Sequence, residues 1–253
     1  MQTLLITGAA QGIGLATARR YAAKGWFVGL YDVNREAIET LLASQEFPHA
    51  CGGYCDVTDY ESTRLMFEDF AEHAGGKLNL LVINAGVLSA GSFEDIDHLH
   101  HDRIIDVNVK GFTNTAHLGF DLLRKTPGAT VINLCSASSI HGIPLLAVYS
   151  ASKFYVNGLT EALALEWRPY DIRVTCVKPP VIATAMGEEL LQRVPQKLGT
   201  QLQPEEVAAL IEKAATGSGT SYLLGMPAKI WYALDKLLPN TLRHSLTRYL
   251  TGF

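Results

Sequence analysis

Residues 3–14 read Thr3-Leu4-Leu5-Ile6-Thr7-Gly8-Ala9-Ala10-Gln11-Gly12-Ile13-Gly14. The first five residues are a short apolar run of the kind that forms a buried strand. Glycines follow at positions 8, 12 and 14, and a helical spacing of small and apolar residues then runs through Ala16, Ala18, Tyr21 and Ala22. Strand, glycine turn and helix in this order are the context that a dinucleotide-binding turn requires. Glycines let the backbone approach a pyrophosphate closely, and the helix N-terminus offers free N–H groups and positive potential. The next apolar run, residues 26–31, is followed by Asp32, eighteen residues after Gly14. A carboxylate there binds both hydroxyls of an adenosine ribose and repels a 2′-phosphate.

Outward from this turn the same alternation continues. Helical patterns are predicted at 34–44, 60–74, 103–123, 149–168 and 204–215, and strands at 54–57, 78–83, 130–135 and 174–178. Thr58-Asp59 is a plausible cap for the second of these helices, and Pro204 opens the last. The pattern implies a doubly wound parallel α/β sheet with helices on both faces. Asp, Asn, Gly and Ser collect at the strand ends, where ligands bind in such sheets. No repeat, linker or low-complexity tract divides the chain, so one domain over 1–253 is the economical reading.

Composition narrows the function classes. The chain has 253 residues, 48% of them apolar and 18% charged, which suits a large buried core and not a disordered chain. A net charge of -4 without a basic run argues against nucleic acid as a partner. Cys51, Cys55, Cys135 and Cys176 form neither a paired framework nor a zinc spacing. They read as buried reduced thiols. His98, His100 and His101 read as a solvated helix start, and no metal site is expected. No apolar run reaches membrane-spanning length, and the N-terminus enters the strand pattern at once. The expected location is the cytoplasm.

Tyr149 and Lys153 stand four apart in Tyr149-Ser150-Ala151-Ser152-Lys153, on one face of a predicted helix. A nearby ammonium favours the phenolate, so the pair suits proton exchange with a substrate hydroxyl or carbonyl. Taken alone, such a pair is more commonly a solvated surface feature.

The motifs together resemble the short-chain dehydrogenase/reductase family, over the chain up to about Gly225. Residues 7–14 match its Thr-Gly-x-x-x-Gly-x-Gly loop, and Asn84-Ala85-Gly86 its Asn-Ala-Gly motif. Asn108, Ser136, Tyr149 and Lys153 match its catalytic tetrad in identity, order and spacing. The resemblance implies a Rossmann fold and hydride transfer to or from a nicotinamide. It implies Tyr149 as acid/base, Lys153 lowering the phenol's pKa and binding the nicotinamide ribose, and Ser136 holding the substrate oxygen. Asn108 would bend its helix and hold a water. Gly8, Gln11, Gly12, Ile13, Gly14, Asp32, Asp56, Val57, Asn84, Ala85 and Gly86 would bind the cofactor, with Tyr149, Lys153, Pro179, Val181 and Thr184. Asp32, with no basic residue in the glycine loop, favours NAD over NADP, although Arg35 lies close in sequence.

Two departures bear on the substrate. Pro180 stands where the family often has glycine, and the C-terminus carries an unusual tail. Residues 185–203 correspond to the family's substrate lid and include Met186, Leu190, Leu191, Val194, Pro195 and Leu198, with few charges. Ser138, His141 and Met186 are expected on the substrate side. Residues 226–253 form an apolar helical extension in which Ile230, Trp231, Leu234, Leu237 and Leu238 share one face, followed by Leu242, Leu246, Tyr249 and Leu250. That tail resembles those of lipid-, steroid- and retinoid-type members. It either packs on protein or makes a peripheral membrane contact that delivers a lipophilic substrate. Family members associate through the helices bearing Asn108 and Tyr149, so a homodimer or homotetramer is expected, with Leu118, Phe120, Leu122, Leu159 and Leu163 as candidate surface. The reading is an NAD-dependent oxidoreductase acting on a hydrophobic secondary alcohol or its carbonyl. The alternative is a cofactor-binding regulator without turnover. An isomerase or dehydratase fits less well, because such members use altered tetrads.

Overall fold

The computed structural model describes residues 1–193 and 202–251. Its strands are β1 (Thr3–Thr7), β2 (Phe27–Asp32), β3 (Ala50–Tyr54), β4 (Leu80–Ile83), β5 (Thr130–Leu134), β6 (Arg173–Lys178) and β7 (Ser221–Leu223). Its helices are α1 (Gly12–Ala22), α2 (Arg35–Ala43), α3 (Tyr60–His73), α4 (His98–Ile105), α5 (Phe112–Leu123), α6 (Ala147–Glu166), α7 (Ala185–Arg193), α8 (Pro204–Thr216), α9 (Met226–Leu237) and α10 (Asn240–Thr251). The strands form one parallel sheet in the order β3-β2-β1-β4-β5-β6-β7. The chain winds outward from β1 to β3, then returns to place β4 on the other side of β1. The crevice at the C-terminal ends of β1 and β4 is therefore the switch point where such sheets bind ligands.

Alternate side chains of each strand enter different cores. Leu5, Leu81 and Val131 pack with Phe67 and Phe70 of α3 and with Phe112 and Val156 of α5 and α6. Leu4, Ile6, Leu30 and Val82 pack with Ala18 and Tyr21 of α1, Ile38 of α2, and Val207 and Ile211 of α8. Arg20 and Lys24 of α1 both pair with Glu212 of α8. Phe70 is fully buried, and Gly29 in the middle of β2 makes the room for it: a Cβ at Gly29 would lie 2.6 Å from the ring. Replacing Phe70 by Ala is expected to cost about 3–5 kcal/mol. Thermal unfolding followed by circular dichroism would then show a midpoint roughly 10 °C lower.

The sequence placed a strand at 54–57, but β3 is Ala50–Tyr54. Two of its five residues are glycines, which conceals the strand signal. Gly52 lies against β2 so closely that a Cβ would stand 2.1 Å from Leu30 O. Residues 56–58 instead form a turn, with Asp56 Oδ1 accepting from Thr58 N at 2.9 Å and from Thr58 Oγ1 at 2.8 Å. Asp59 caps α3, accepting from Glu61 N and Ser62 N. The long helix expected from 103 begins earlier, capped by Asp97, so the histidine cluster forms its first turns. There His98 Nδ1 lies 3.0 Å from Asp102, and His101 stacks on Phe93. The four cysteines are free and buried, as read from their spacing.

Candidate active site

Parallel pairing of Thr7 with Ile83 sends Gly8 and Asn84 out of the sheet side by side. Asn84 Nδ2 donates to Thr7 O at 3.0 Å and to Gly8 O at 2.8 Å, fixing the turn. Thr7 Oγ1 accepts from Asn84 N and Ala85 N. Gly8 has φ +69°, a left-handed conformation that glycine takes without strain. A Cβ at Gly14 would lie 2.1 Å from Gly8 O, so only glycine fits there. Gln11 precedes α1 and makes no side-chain bond to the helix N-terminus. Asp32 closes the far side of the turn: Oδ2 accepts from Ala10 N at 3.1 Å and Oδ1 from Asn34 N at 3.0 Å. The Arg35 guanidinium rests over the Tyr54 ring at 5.5 Å, and Arg19 pairs with Glu46 at 2.7 Å, so both neighbouring cations have partners.

Asn108 lies in a π-helical turn, Asp106–Gly111, between α4 and α5, which is the local distortion expected at this position. Its side chain is fully engaged. Oδ1 accepts from Val87 N at 2.9 Å, while Nδ2 donates to Val87 O at 2.9 Å and to Ser152 Oγ at 3.1 Å. Both amide hydrogens are thus donated to protein groups.

Tyr149 sits in the first turn of α6 and Lys153 one turn later. Lys153 Nζ donates to Leu134 O at 2.9 Å and stands 5.7 Å from the centre of the Tyr149 ring. Lys153 is not among the groups that dominate the phenol in this arrangement. Burial pushes Tyr149 up to about 12, only partly offset by the Ser136 hydroxyl, with the Cys135 sulfur adding to the rise. Burial likewise lowers Lys153, with Cys135 opposing. Ser136 Oγ accepts from Ser138 Oγ at 2.9 Å and from Ser138 N at 3.2 Å, so the second serine orients the first.

One cleft of about 2030 Å³ brings these groups together, running from Asp32 and Gln11 past Ser136 and Tyr149 to Met186. Gly8, Gly12, Ile13, Asp56, Val57, Asn84, Ala85, Gly86, Ser138, Lys153, Pro179, Val181 and Thr184 also line it. Asn108 and Gly14 lie behind the wall, the first holding Val87 and the second the glycine turn. Thr184 faces the glycine loop, its Cγ2 being 3.1 Å from where a Cβ of Gly12 would be. Pro180 is accommodated on the cleft wall, while the neighbouring Pro179 O accepts from Ala137 N at 2.9 Å. Val181 O accepts from Leu202 N at 3.2 Å and Ala183 N donates to Leu202 O at 2.8 Å, a bridge absent from the sequence reading. Val194, Pro195 and Leu198 lie outside the described residues, as do the side chains of Leu246, Tyr249 and Leu250.

His141 departs from its expected place. It does not line the cleft but lies beneath the tail, with Nδ1 3.3 Å from Asp235 Oδ1. The tail itself was missed as part of the site: Ile230, Trp231, Leu234 and Thr247 line the cleft. Its amphipathic spacing was the available signal, and the direction in which it folds was not encoded locally. Among the described residues, Cys51, Asp69 and His73 converge as metal-type side chains, but none lines the cleft. Asp69 there accepts from Tyr31 Oη at 2.5 Å.

The model of the short chain dehydrogenase family matches residues 2–195. Meso-2,3-butanediol dehydrogenase of Serratia marcescens is 33% identical over 216 residues, covering 83% of this chain and 85% of that one. A 3alpha-hydroxysteroid dehydrogenase of Mediterraneibacter gnavus is 30% identical over 214 residues, covering 81% and 85%. The crystal structure of 3-ketoacyl-(acyl-carrier-protein) reductase from Brucella melitensis complexed with NADH superposes with a TM-score of 0.79 at 25% identity, covering 88% of this chain and 96% of that one. With this sheet, this glycine turn and this extent of match, the chain belongs to the short-chain dehydrogenase family. It is an oxidoreductase, and the alternative of a regulator without turnover is not favoured.

Proposed function

We propose that this oxidoreductase uses NAD to interconvert a hydrophobic secondary alcohol and its ketone, with Tyr149 exchanging the hydroxyl proton. The observation that carries the reading is a single cleft holding Tyr149, Ser136, the glycine turn and the Asp32 carboxylate. The close-packed glycines at the switch point fit a dinucleotide, because any side chain at Gly14 would fill the space between turn and helix. A nicotinamide bound there supplies or accepts the hydride. Asp32 takes the adenosine ribose, Asp56 and Val57 flank the adenine, and Thr184 reaches the carboxamide from across Gly12. Ser136, oriented by Ser138, holds the substrate oxygen and stabilises charge developing on it. Tyr149, neutral below its raised pKa, donates to that oxygen in the reducing direction. Lys153 binds the ribose from the floor of the cleft.

Several features support NAD and an apolar substrate. The carboxylate at Asp32 disfavours a 2′-phosphate, Arg35 rests over Tyr54, and Arg19 on the cleft wall pairs with Glu46. The solved relative from Brucella melitensis is complexed with NADH. Met186, Leu190 and Leu191 of α7 line the cleft, as do Ile230, Trp231 and Leu234 of the tail. Replacing Asp32 by Ala should lower the ratio of kcat/KM for NAD to that for NADP by roughly 10- to 100-fold, an unscreened-to-screened range for one like-charge contact. An unchanged ratio in steady-state assays would sink the NAD assignment. A spectrophotometric screen of cyclic, aromatic and aliphatic secondary alcohols tests the substrate class, and turnover confined to small polyols would count against it.

The proposal extends to organisation. Residues 1–253 act as one domain, with 185–203 as lid and 226–253 as extension. Self-association as a homodimer or homotetramer uses α5 and α6. Leu118, Phe120, Leu122, Leu159 and Leu163 are half-buried against the core, and the apolar side chains α6 leaves most exposed are Phe154 and Leu165. No helix among the described residues is long and apolar enough to cross a membrane. Met226, Leu237 and Leu242 are exposed on the tail and provide the surface for a peripheral lipid contact.

A further inference from the structure

The substrate end of the cleft has a wall that the family match, ending at residue 195, does not reach. Trp231 and Leu234 of α9 line the same cavity as Ser138 and Tyr149. The helix that presents them is riveted to the core at two points. At the first, Asp235 is 7% exposed, a degree of burial that a carboxylate tolerates only when its charge is met. Arg243 Nη1 of α10 meets the charge, donating to Oδ2 at 3.4 Å and to Asp235 O at 3.3 Å, while His141 Nδ1 packs 3.3 Å from Oδ1 without hydrogen-bonding it. The His141 ring also meets Trp231 edge-on, with centroids 6.1 Å apart. At the second point, the Tyr232 ring covers Lys178 Nζ at 5.3 Å, where β6 ends in a lysine only 2% exposed. A helix held by a buried charge cluster and a buried cation keeps its next side chains in fixed places.

We infer that Trp231 is a specificity-determining residue of the substrate site, and that Asp235 is the positioning residue that holds it there through His141 and Arg243. The ligand this wall selects is a bulky apolar alcohol or ketone with its one oxygen at Ser136 and Tyr149 and its hydrocarbon body against the indole. The inference deepens the oxidoreductase reading above and rests on it for the reacting end alone. His141 thereby has a function in the site without touching substrate: it ties the segment bearing Ser136 and Ser138 to the helix bearing Trp231.

The test compares cyclohexanol with decahydro-2-naphthol, one ring against two, using the full chain and NAD. Trp231→Ala should lower the two-ring to one-ring ratio of kcat/KM by at least about tenfold, since one lost aromatic face is worth more than ~1.4 kcal/mol. Trp231→Phe should recover most of that ratio. Asp235→Asn should lower the ratio in the same direction through KM, and the double variant should lose no more than Trp231→Ala alone, because the first residue acts through the second. Leu237→Ala, on the same helix but 80% exposed and off the cleft, should leave the ratio alone. A second readout is independent of turnover: fluorescence titration with 1-anilinonaphthalene-8-sulfonate, whose fused rings should bind at least about tenfold more weakly to Trp231→Ala than to the parent. If the parent oxidises neither alcohol but the dye result holds, the substrate reading fails and the wall stands. If Trp231→Ala moves neither the ratio nor the dye affinity, or Asp235→Asn and Trp231→Ala act additively, the inference is overturned.

Discussion

Replacing Tyr149 by Phe lowers kcat by about 10²–10⁴-fold, the usual contribution of one positioned acid/base. The ring and its packing survive the change, so the loss reads the hydroxyl and not the fold. Affinity for NAD, measured by fluorescence titration, should change by no more than a few-fold, roughly the effect of one lost neutral hydrogen bond. The pH dependence gives a second signature. Burial holds the phenol near 12, so at neutral pH it carries its proton. Ketone reduction needs that proton and should be nearly flat through neutral pH. Alcohol oxidation needs a base, so its rate should climb with pH as the phenolate fraction grows. The residual activity of Tyr149→Phe should lack that climb. A variant retaining a tenth or more of parental kcat would remove Tyr149 from the proton-transfer role.

The second large effect concerns the turn. Gly14→Ala places a carbon 2.1 Å from Gly8 O, a distance that no rotamer relieves, because both atoms belong to the backbone framework of the turn. Either Gly8 or the start of α1 must move, at a cost of about 1–3 kcal/mol. The moved atoms are those that would approach the pyrophosphate. NAD affinity is therefore expected to fall by about 100-fold or more, some 2.7 kcal/mol, in equilibrium titration. Gly53→Ala on β3 is the matched control: nothing lies within 4 Å of its Cβ position and its φ is ordinary. There the same substitution should leave affinity unchanged and raise stability by a few tenths of a kcal/mol, up to ~1. Equal losses in both variants would mean that the turn geometry is not what binds the nucleotide.

Local signals carried much of this molecule. The strand–glycine–helix order of 3–14, the carboxylate at 32 and the tetrad at 108, 136, 149 and 153 all follow from neighbours close in sequence. The structure sets most of them around one cleft. What failed to read locally had physical reasons. β3 is hidden because two of its five residues are glycines, and Gly52 serves the close approach of Leu30 O rather than a side-chain pattern. The effect of Lys153 on Tyr149 was inferred from spacing, whereas burial dominates the phenol and the Lys153 ammonium is turned to the Leu134 carbonyl, nineteen residues away in the chain. His141 was placed by its nearness to Ser138, but its partner Asp235 is distant in sequence. The tail's apolar periodicity was legible as a helix face; which surface that face meets depends on Trp231, Tyr232 and Asp235 finding partners across the sheet's edge.

The bridge between Ile182 and Leu202 has an architectural meaning. Two backbone hydrogen bonds tie the start and the end of one excursion, so the chain between them is anchored at its stem. Closing such a loop costs little more when it lengthens, about 0.6 kcal/mol per doubling. Thr184 stands just inside the stem, against the glycine turn, where its hydroxyl accepts from Gly187 N at 3.2 Å and its carbonyl from Glu188 N at 2.9 Å. Residues 189–193, the end of α7 beyond those bonds and the stretch that brings Leu190 and Leu191 to the cleft, are thus the place to retarget the substrate while the nucleotide side stays in register.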